Sequence, residues 1–148
     1  MTGITYIGST LSVAWTAPDD FDETAAADFA ALEYAEIGGV VSMGEVGDTA
    51  EDVSYNLLKG GRTKHVNGVR DVGDIAVAAE YDEQDAGQIV VEEAANTNDK
   101  HYWKIEDPDG AVTYFVGLAA NLTNTERNPS SYKGIEFVIR TQSGLVYA

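Results

Sequence analysis

Apolar and polar residues alternate along much of this chain, which is the pattern of a β-strand with one buried face. The segment 71–82, DVGDIAVAAEYD, is the clearest case. Its alternating apolar positions are Ile75, Val77, Ala79 and Tyr81. Residues 3–15 are rich in β-branched and aromatic residues and predict another extended segment. Residues 31–37 and 39–45 predict two strands, or one bent strand with a bulge at Gly38–Gly39.

The C-terminal part of the chain predicts a hairpin and two closing strands. Residues 101–123 form the hairpin around DPDG, which places proline at the second turn position and glycine where a positive φ is needed. A polar loop follows at 123–131. Residues 133–148 then predict two short strands about Ser143–Gly144, with Ile135, Phe137 and Ile139 on one face.

Only residues 83–98 give a good helical pattern, with Ile89, Val90 and Ala94 as the apolar stripe and Asp82 as the predicted N-cap. The acidic segment 17–28 predicts a loop with one helical turn at TAAADF. Seven or eight strands and one helix indicate a mainly β fold. We predict an antiparallel β-sandwich or barrel with one flanking α-helix, in a single domain over residues 1–148 with an N-terminal segment of about 1–28.

A long polar segment, GDTAEDVSYNLLKGGRTKHVNG at 47–68, interrupts this pattern and predicts a long inter-strand loop over about residues 45–70. Acidic and basic residues are separated along the first 70 positions. Residues 1–58 contain 11 Asp and Glu and no Lys or Arg, and four basic residues then follow within 12 positions. These are Lys59, Arg62, Lys64 and Arg70. Acidic and basic surfaces separated in this way permit head-to-tail pairing between copies of the chain.

Composition excludes several classes of protein. The chain has 148 residues, 44% of them apolar, which is typical of a globular domain. No apolar run is long enough to span a membrane, and the N-terminus lacks the pattern of a secretory signal. The absence of cysteine excludes disulfides and fits either a reducing compartment or a particle independent of redox state. The net charge of −16 opposes binding to nucleic acid and to anionic membranes.

The residues that perform most enzyme chemistry are sparse. The two histidines, His65 and His101, fall in the polar segment and at a strand start, and both are predicted to be exposed. A zinc site would need both histidines and two carboxylates, and no such spacing occurs. KGGRTK at 59–64 lacks the spacing of a phosphate-binding loop, and no G-x-S-x-G motif is present. We therefore predict no enzyme, no metal and no cofactor.

Two other clusters have structural explanations. Three acidic residues around DPDG offer oxygen ligands for calcium, but this sequence is typical of a tight turn. They are Glu106, Asp107 and Asp109. Four aromatic residues across the predicted hairpin are interpreted as core packing rather than as a ligand platform. They are Tyr102, Trp103, Tyr114 and Phe115.

The order of turns and strand boundaries carries a family resemblance over residues 28–120. A V-x-S-like strand end leads into an acidic segment, which returns through a basic stretch to a G-x-x-D-x-G-[DE] step. The matching residues are Val41, Ser42, Gly68, Asp71, Gly73 and Asp74. A D-x-x-[GHQ] link follows at Asp85–Gln88, then a D-G turn at Asp109–Gly110 and an aromatic strand, Tyr114–Gly117. This order resembles the major tail tube proteins of long-tailed bacteriophages, although Asn56 precedes Leu57–Leu58 where the family often has Thr or Ser.

The resemblance implies a hexameric ring of this chain, with rings stacked into a tube and DNA passing through the lumen during ejection without specific binding. Related folds occur in contractile-tail tubes and in the type VI secretion tube. The implied partners are further copies of the chain and the tape-measure, tail-tip and terminator proteins, with no membrane. The implied location is the virion tail, assembled in the host bacterial cytoplasm.

The resemblance also implies that the long loop reaches a neighbouring subunit or ring. Its expected contact residues are Glu45, Asp48, Glu51, Asp52, Tyr55, Lys59, Arg62, Lys64, His65 and Arg70. Asp74 and Glu80 are the candidate lumen carboxylates, because a negative lumen would not hold the phosphate backbone of DNA.

Two other functions remain open from the residues alone. Exposed aromatic residues would suit a carbohydrate- or protein-binding β-sandwich module of a virion or cell surface. The candidates are Trp15, Trp103 and Tyr132. A small hydrolase would have only the abundance of serine and aspartate in its favour.

Overall fold

The computed structural model describes residues 6–14, 16–18, 20–47 and 49–148. These residues form ten strands and two helices. The strands are β1 (Thr10–Ala14), β2 (Ala35–Ile37), β3 (Val40–Met43), β4 (Thr49–Asn56), β5 (Thr63–Asp71), β6 (Asp74–Glu80), β7 (His101–Glu106), β8 (Val112–Asn124), β9 (Gly134–Thr141) and β10 (Val146–Tyr147), and the helices are α1 (Ala26–Ala30) and α2 (Ala86–Ala95). The predicted mainly β, antiparallel fold with a flanking helix is confirmed. The helical turn predicted near residue 24 is a second short helix, α1.

Eight strands form one antiparallel sheet in the order β2-β1-β7-β8-β9-β6-β3, with β10 paired to β8. The two strands at the ends of this order, β2 and β3, are consecutive in the chain and are joined by Gly38–Gly39. A sheet whose first and last strands meet in one short turn has to curl back on itself. The prediction of two strands is therefore confirmed, and the alternative of one bent strand with a bulge at Gly38–Gly39 is wrong. The irregularity lies between Val40 and Ser42, and Gly39 adopts a φ of 69° in the turn.

The core lies inside this curled sheet. On β6, the alternation predicted from sequence is confirmed, because Ile75, Val77 and Ala79 are buried. Tyr81 lies just beyond the strand and is exposed. Trp103 is fully buried beside Phe115 and Phe137, and its indole N–H donates to the Gly117 carbonyl at 3.1 Å.

A smaller aromatic cluster lies beneath α1. Phe29, fully buried, packs against Phe21 and Tyr114. The Tyr34 hydroxyl donates to the Phe29 carbonyl at 2.9 Å. Burial raises the pKa of Tyr34, so its phenol stays neutral and keeps the proton that it donates. The aromatic residues predicted as core packing are thus confirmed as core, with Tyr102 only partly covered.

Helix α2 starts three residues later than predicted. Asp85, not Asp82, is the N-cap, and its carboxylate accepts from the Gln88 amide at 3.0 Å. The same oxygen accepts from the Gly38 amide at 3.1 Å, so the cap also holds the turn between β2 and β3. The Asp82 carboxylate instead accepts from the Gln84 amide in a local turn. Asp85 makes the better cap because it satisfies two amides from two elements.

The buried face of α2 is also rotated from the predicted stripe. Gly87, Gln88, Val91 and Ala94 are buried, whereas Ile89 is exposed. Gly87 allows this orientation, because a Cβ at its position would lie 2.3 Å from the Glu36 carbonyl oxygen of β2. The glycine that weakens the helical pattern in the sequence is therefore the residue that lets the helix approach the sheet.

We predict that Gly87→Ala destabilises the protein by about 2 kcal/mol, although alanine favours a helix by about 1 kcal/mol over glycine. The new methyl group would clash with backbone atoms of β2, which no side-chain rotation relieves. Urea unfolding of the monomer measures the change. Gly144→Ala is the matched control, because a Cβ there meets no atom within 4 Å. Equal or higher stability of Gly87→Ala would contradict the close approach.

Candidate assembly surface

The long inter-strand loop predicted over about residues 45–70 contains a β-hairpin, formed by β4 and β5. Strands β4 and β5 pair only with each other, from Thr49 opposite Asp71 to Asn56 opposite Thr63. The register shifts where Glu51 lies opposite Gly68–Val69. The sequence conceals these strands because neither face of the hairpin is buried, so no strong alternation of apolar and polar residues is required.

One face of this hairpin is polar and satisfied within the chain. His65 Nδ1 lies 3.1 Å from the Asp52 carboxylate, and the Thr63 hydroxyl donates to the Asn56 side-chain oxygen at 2.6 Å. Ser54 lies opposite His65 in the ladder, on the same face. These contacts are exposed and make only a small contribution to stability.

The other face carries apolar side chains that remain about half exposed among the described residues. Val53 lies opposite Val66, and Tyr55 lies opposite Lys64. Val53, Tyr55 and Val66 expose between 45% and 49% of their surface. At the tip, Leu58 is fully exposed. An isolated two-stranded hairpin is marginally stable in water, so an apolar face of this kind favours a partner.

The basic residues of the hairpin are also unpaired among the described residues. Lys59, Arg62, Lys64 and Arg70 have no carboxylate oxygen within 4 Å there. The acidic first half and the basic second half of the segment therefore do not neutralise each other. Their charges are available to another molecule.

The other predicted contact and lumen residues lie away from the hairpin strands, apart from one that the structure does not describe. Glu45 is exposed between β3 and the hairpin, and Asp48 lies outside the described residues. Asp74 and Glu80 occupy the two ends of β6, both exposed, on the face opposite its buried positions. The structure thus places both carboxylates on the outer surface of the sheet and brings neither of them to the hairpin tip.

Two sequence predictions about exposure are wrong. His101 is 3% exposed, pairs with Gly117 of β8, and has its Nδ1 2.9 Å from the Asp99 carbonyl oxygen. Trp103 is fully buried in the core, so it cannot serve a ligand-binding surface. Trp15 lies outside the described residues, and Tyr132 is 40% exposed.

Other kinds of site find no support in the part of the chain that the structure describes. No three His, Asp or Glu side chains converge there as metal ligands. Asp107–Gly110 forms the predicted tight turn, with the Gly110 amide donating to the Asp107 carbonyl at 2.9 Å. Neither described helix has the length and apolarity needed to cross a bilayer.

Comparison with known proteins gives matches of structure and none of sequence. No family model and no curated protein matches the chain. A chain in the tail of an empty gene transfer agent particle aligns over 99% of both chains, with a TM-score of 0.68 and 14% identity. A chain in the PVC extracellular contractile injection system, in its sheath/tube terminator, aligns over 100% of this chain and 98% of that one, with a TM-score of 0.67 and 10% identity. This is a tail-tube fold.

Two further matches extend the range of particles that contain the fold. A chain in the baseplate of the anti-feeding prophage aligns over 100% of this chain and 96% of that one, with a TM-score of 0.67 and 6% identity. A chain in the virion of the native gene transfer agent covers 78% of this chain and 88% of that one, with a TM-score of 0.63 and 16% identity. The predicted resemblance to tail-tube proteins is confirmed at the level of the fold.

We predict that the amides of β4 and β5 exchange with deuterium at least about a hundredfold faster than those of β6 and β9 while the protein is monomeric. The hairpin lacks a covered face, whereas β6 and β9 enclose the core. Hydrogen exchange read by mass spectrometry at high dilution measures this. Equal protection of hairpin and body would show that the hairpin needs no partner.

Proposed function

We propose that this protein is a structural subunit that assembles with copies of itself into stacked hexameric rings, forming the tube of a phage tail or tail-like particle. The single observation behind the proposal is the projecting hairpin, whose apolar face and basic residues have no partner within the described chain. A tail-tube fold supplies the architecture in which such a hairpin meets another copy.

Ring closure is supported by two free strand edges, one on each side of the part of the sheet formed by β3, β6, β9 and β8. Strand β3 pairs with β6 alone. Strand β7 pairs with β8 only as far as Gly117, so one edge of the last residues of β8 carries no described strand. Unpaired edges favour pairing with another chain, and a heterologous contact that closes produces a ring. Neighbouring copies joined edge to edge would continue the sheet around the lumen.

The outer face of the same segment is the proposed lumen surface. On β6 this face presents Asp74 and Glu80 at its ends and small alanines between them. On β9 it presents Glu136 and Arg140, with Arg140 opposite Asp74 in the ladder. Carboxylates outnumber basic groups on these two strands. Together with the net charge of −16, this balance would let DNA slide through during ejection without being held.

Other components follow from a tail role. The matched structures include a baseplate, a sheath/tube terminator and a cap of tail-like particles. For this chain we infer tape-measure, tail-tip and terminator partners at the ends of the tube, and a final location in the virion tail after assembly in the bacterial cytoplasm. No catalytic step belongs to this function.

Negative-stain electron microscopy of the purified protein tests the proposal. We expect rings of sixfold symmetry and stacked tubes at high concentration, with tape-measure and initiator proteins added if nucleation is slow. A protein that stays monomeric under all of these conditions would refute the assembly role. A ring with a different number of subunits would refute the hexamer alone.

We predict that replacing Ala50–Arg70 by an Asn-Gly turn between Thr49 and Asp71 preserves the body fold and abolishes stacked tubes. Thr49 and Asp71 are cross-strand partners, so a two-residue turn joins them. The hairpin strands pair only with each other, so the core loses no strand. Circular dichroism and thermal unfolding check the fold, and microscopy checks assembly. Normal tubes from the shortened protein would show that the hairpin is not the stacking contact.

A further inference from the structure

The hairpin and a surface groove lie at opposite ends of the same strand. β6 begins next to the hairpin, three residues after Asp71, and ends at Glu80, where Tyr81 and Asp82 enter the groove. Its seven residues separate the two features by about 23 Å at about 3.3 Å per residue. A head-to-tail contact needs two different surfaces at opposite ends of a subunit, and this chain has them.

The groove lies between the start of α2 and the loop 125–133, and it has a volume of about 700 Å³. Its most exposed apolar side chains are Tyr81, Ile89 and Tyr132, each exposed to between 40% and 43%. Four exposed carboxylates surround that surface. They belong to Asp82, Glu83, Glu92 and Glu126.

Two cations in the groove only partly offset this charge. Lys133 already lies over the ring of Tyr81, 5.1 Å from its centroid, and Arg127 is the second. The groove therefore keeps a surplus of negative charge around an apolar floor.

The hairpin tip has the complementary chemistry. Leu58 is fully exposed, and Lys59 and Arg62 lie within four positions of it with no carboxylate partner in the described chain. The eight residues of β4 extend the hairpin by about 26 Å, far enough to reach beyond its own subunit. An apolar side chain flanked by cations fits an apolar floor flanked by carboxylates.

The second groove, of about 480 Å³, does not suit this contact. It runs along β3 and reaches Glu45 and Val46, at the root of the hairpin itself. The second groove therefore lies at the same end of the subunit as the hairpin. A contact that stacks subunits into a filament joins two different surfaces at opposite ends, and the groove beside α2 meets that condition.

On this basis we infer that the groove between α2 and the 125–133 loop receives the hairpin tip of a second copy in the adjacent ring. Leu58 packs against Ile89 and Tyr132, and Lys59 and Arg62 pair with carboxylates at the rim. The inference rests on the proposed stacking of rings, and it specifies which surface accepts the hairpin.

Disulfide cross-linking tests the contact directly, because the chain contains no cysteine of its own. We expect Leu58→Cys/Ile89→Cys to give, after mild oxidation of tubes, a ladder of covalent multimers on a non-reducing gel. Each chain then carries both halves of a head-to-tail contact. Leu58→Cys/Val41→Cys is the matched control, because Val41 is at least as accessible as Ile89 and lines the second groove. A ladder from the control and none from the first variant would overturn the inference.

Charge exchange tests the electrostatic part. Lys59→Glu/Arg62→Glu and Glu83→Lys/Glu126→Lys should each raise the protein concentration needed for tubes about tenfold or more, since like charges would then face each other. The variant with all four changes should recover most of that loss. Asp20→Lys/Glu33→Lys changes the net charge as the groove variant does, at exposed positions outside the groove, and should have little effect.

The outcomes separate this inference from the proposed function. If the unmodified protein forms neither rings nor tubes, the proposed function fails and the inference fails with it. The inference alone fails if tubes form, the Leu58→Cys/Ile89→Cys variant gives no ladder, and the variant with all four charge changes does not recover tube formation. Another surface then accepts the hairpin.

Discussion

The turn at Gly38–Gly39 is the constraint on which the rest of the structure depends, because it joins the first and last strands of the body sheet. Two side chains of α2 hold it. The Asp85 carboxylate accepts from the Gly38 amide, and the Gln88 side-chain amide donates to the carbonyls of Gly38 and Glu80 at 3.0 and 2.6 Å. Gln88 also accepts from the Asp82 amide at 2.9 Å and is only 5% exposed. A buried amide with all of these partners fixes the helix, the turn and the end of β6 in one arrangement.

Closure of the body has a consequence for the hairpin. The curled sheet already encloses its core, and β4 and β5 join none of its ladders. The apolar residues of the hairpin can therefore be covered only by another molecule or by a large rearrangement of the body. A surface that binds the folded chain and not the unfolded one adds its binding free energy to stability. In the proposed assembly, the hairpin would couple its own ordering to contact with another copy.

The sequence predicts the body better than the hairpin, and burial explains the difference. One face of β6 lies in the core, so its residues, such as Ile75 and Val77, must be apolar, and the sequence alternates. Because both faces of β4 and β5 are exposed, their sequence resembles that of a polar loop. The sequence does not fix the N-terminal boundary of α2, because aspartate at position 82 or 85 could cap a helix. Only the tertiary hydrogen bond from the Gly38 amide to Asp85 decides between them. The groove cannot be predicted from the sequence, because the fold alone brings Ile89 and Tyr132 to the same surface.

In the proposed assembly, the separation of acidic and basic residues would provide specificity. Copies with a net charge of −16 repel one another, but salt reduces the range of that repulsion to about 8 Å at physiological ionic strength. Pairs formed at close range, such as those available to Lys59 and Arg62, are screened much less when a groove excludes water. In the proposed assembly, repulsion between acidic surfaces would discourage random pairing of exposed edges, while the basic tip of the hairpin would be attracted to an acidic site on another copy. The excess of carboxylates that keeps free subunits apart would then leave the local attraction at the hairpin to select the register of stacking.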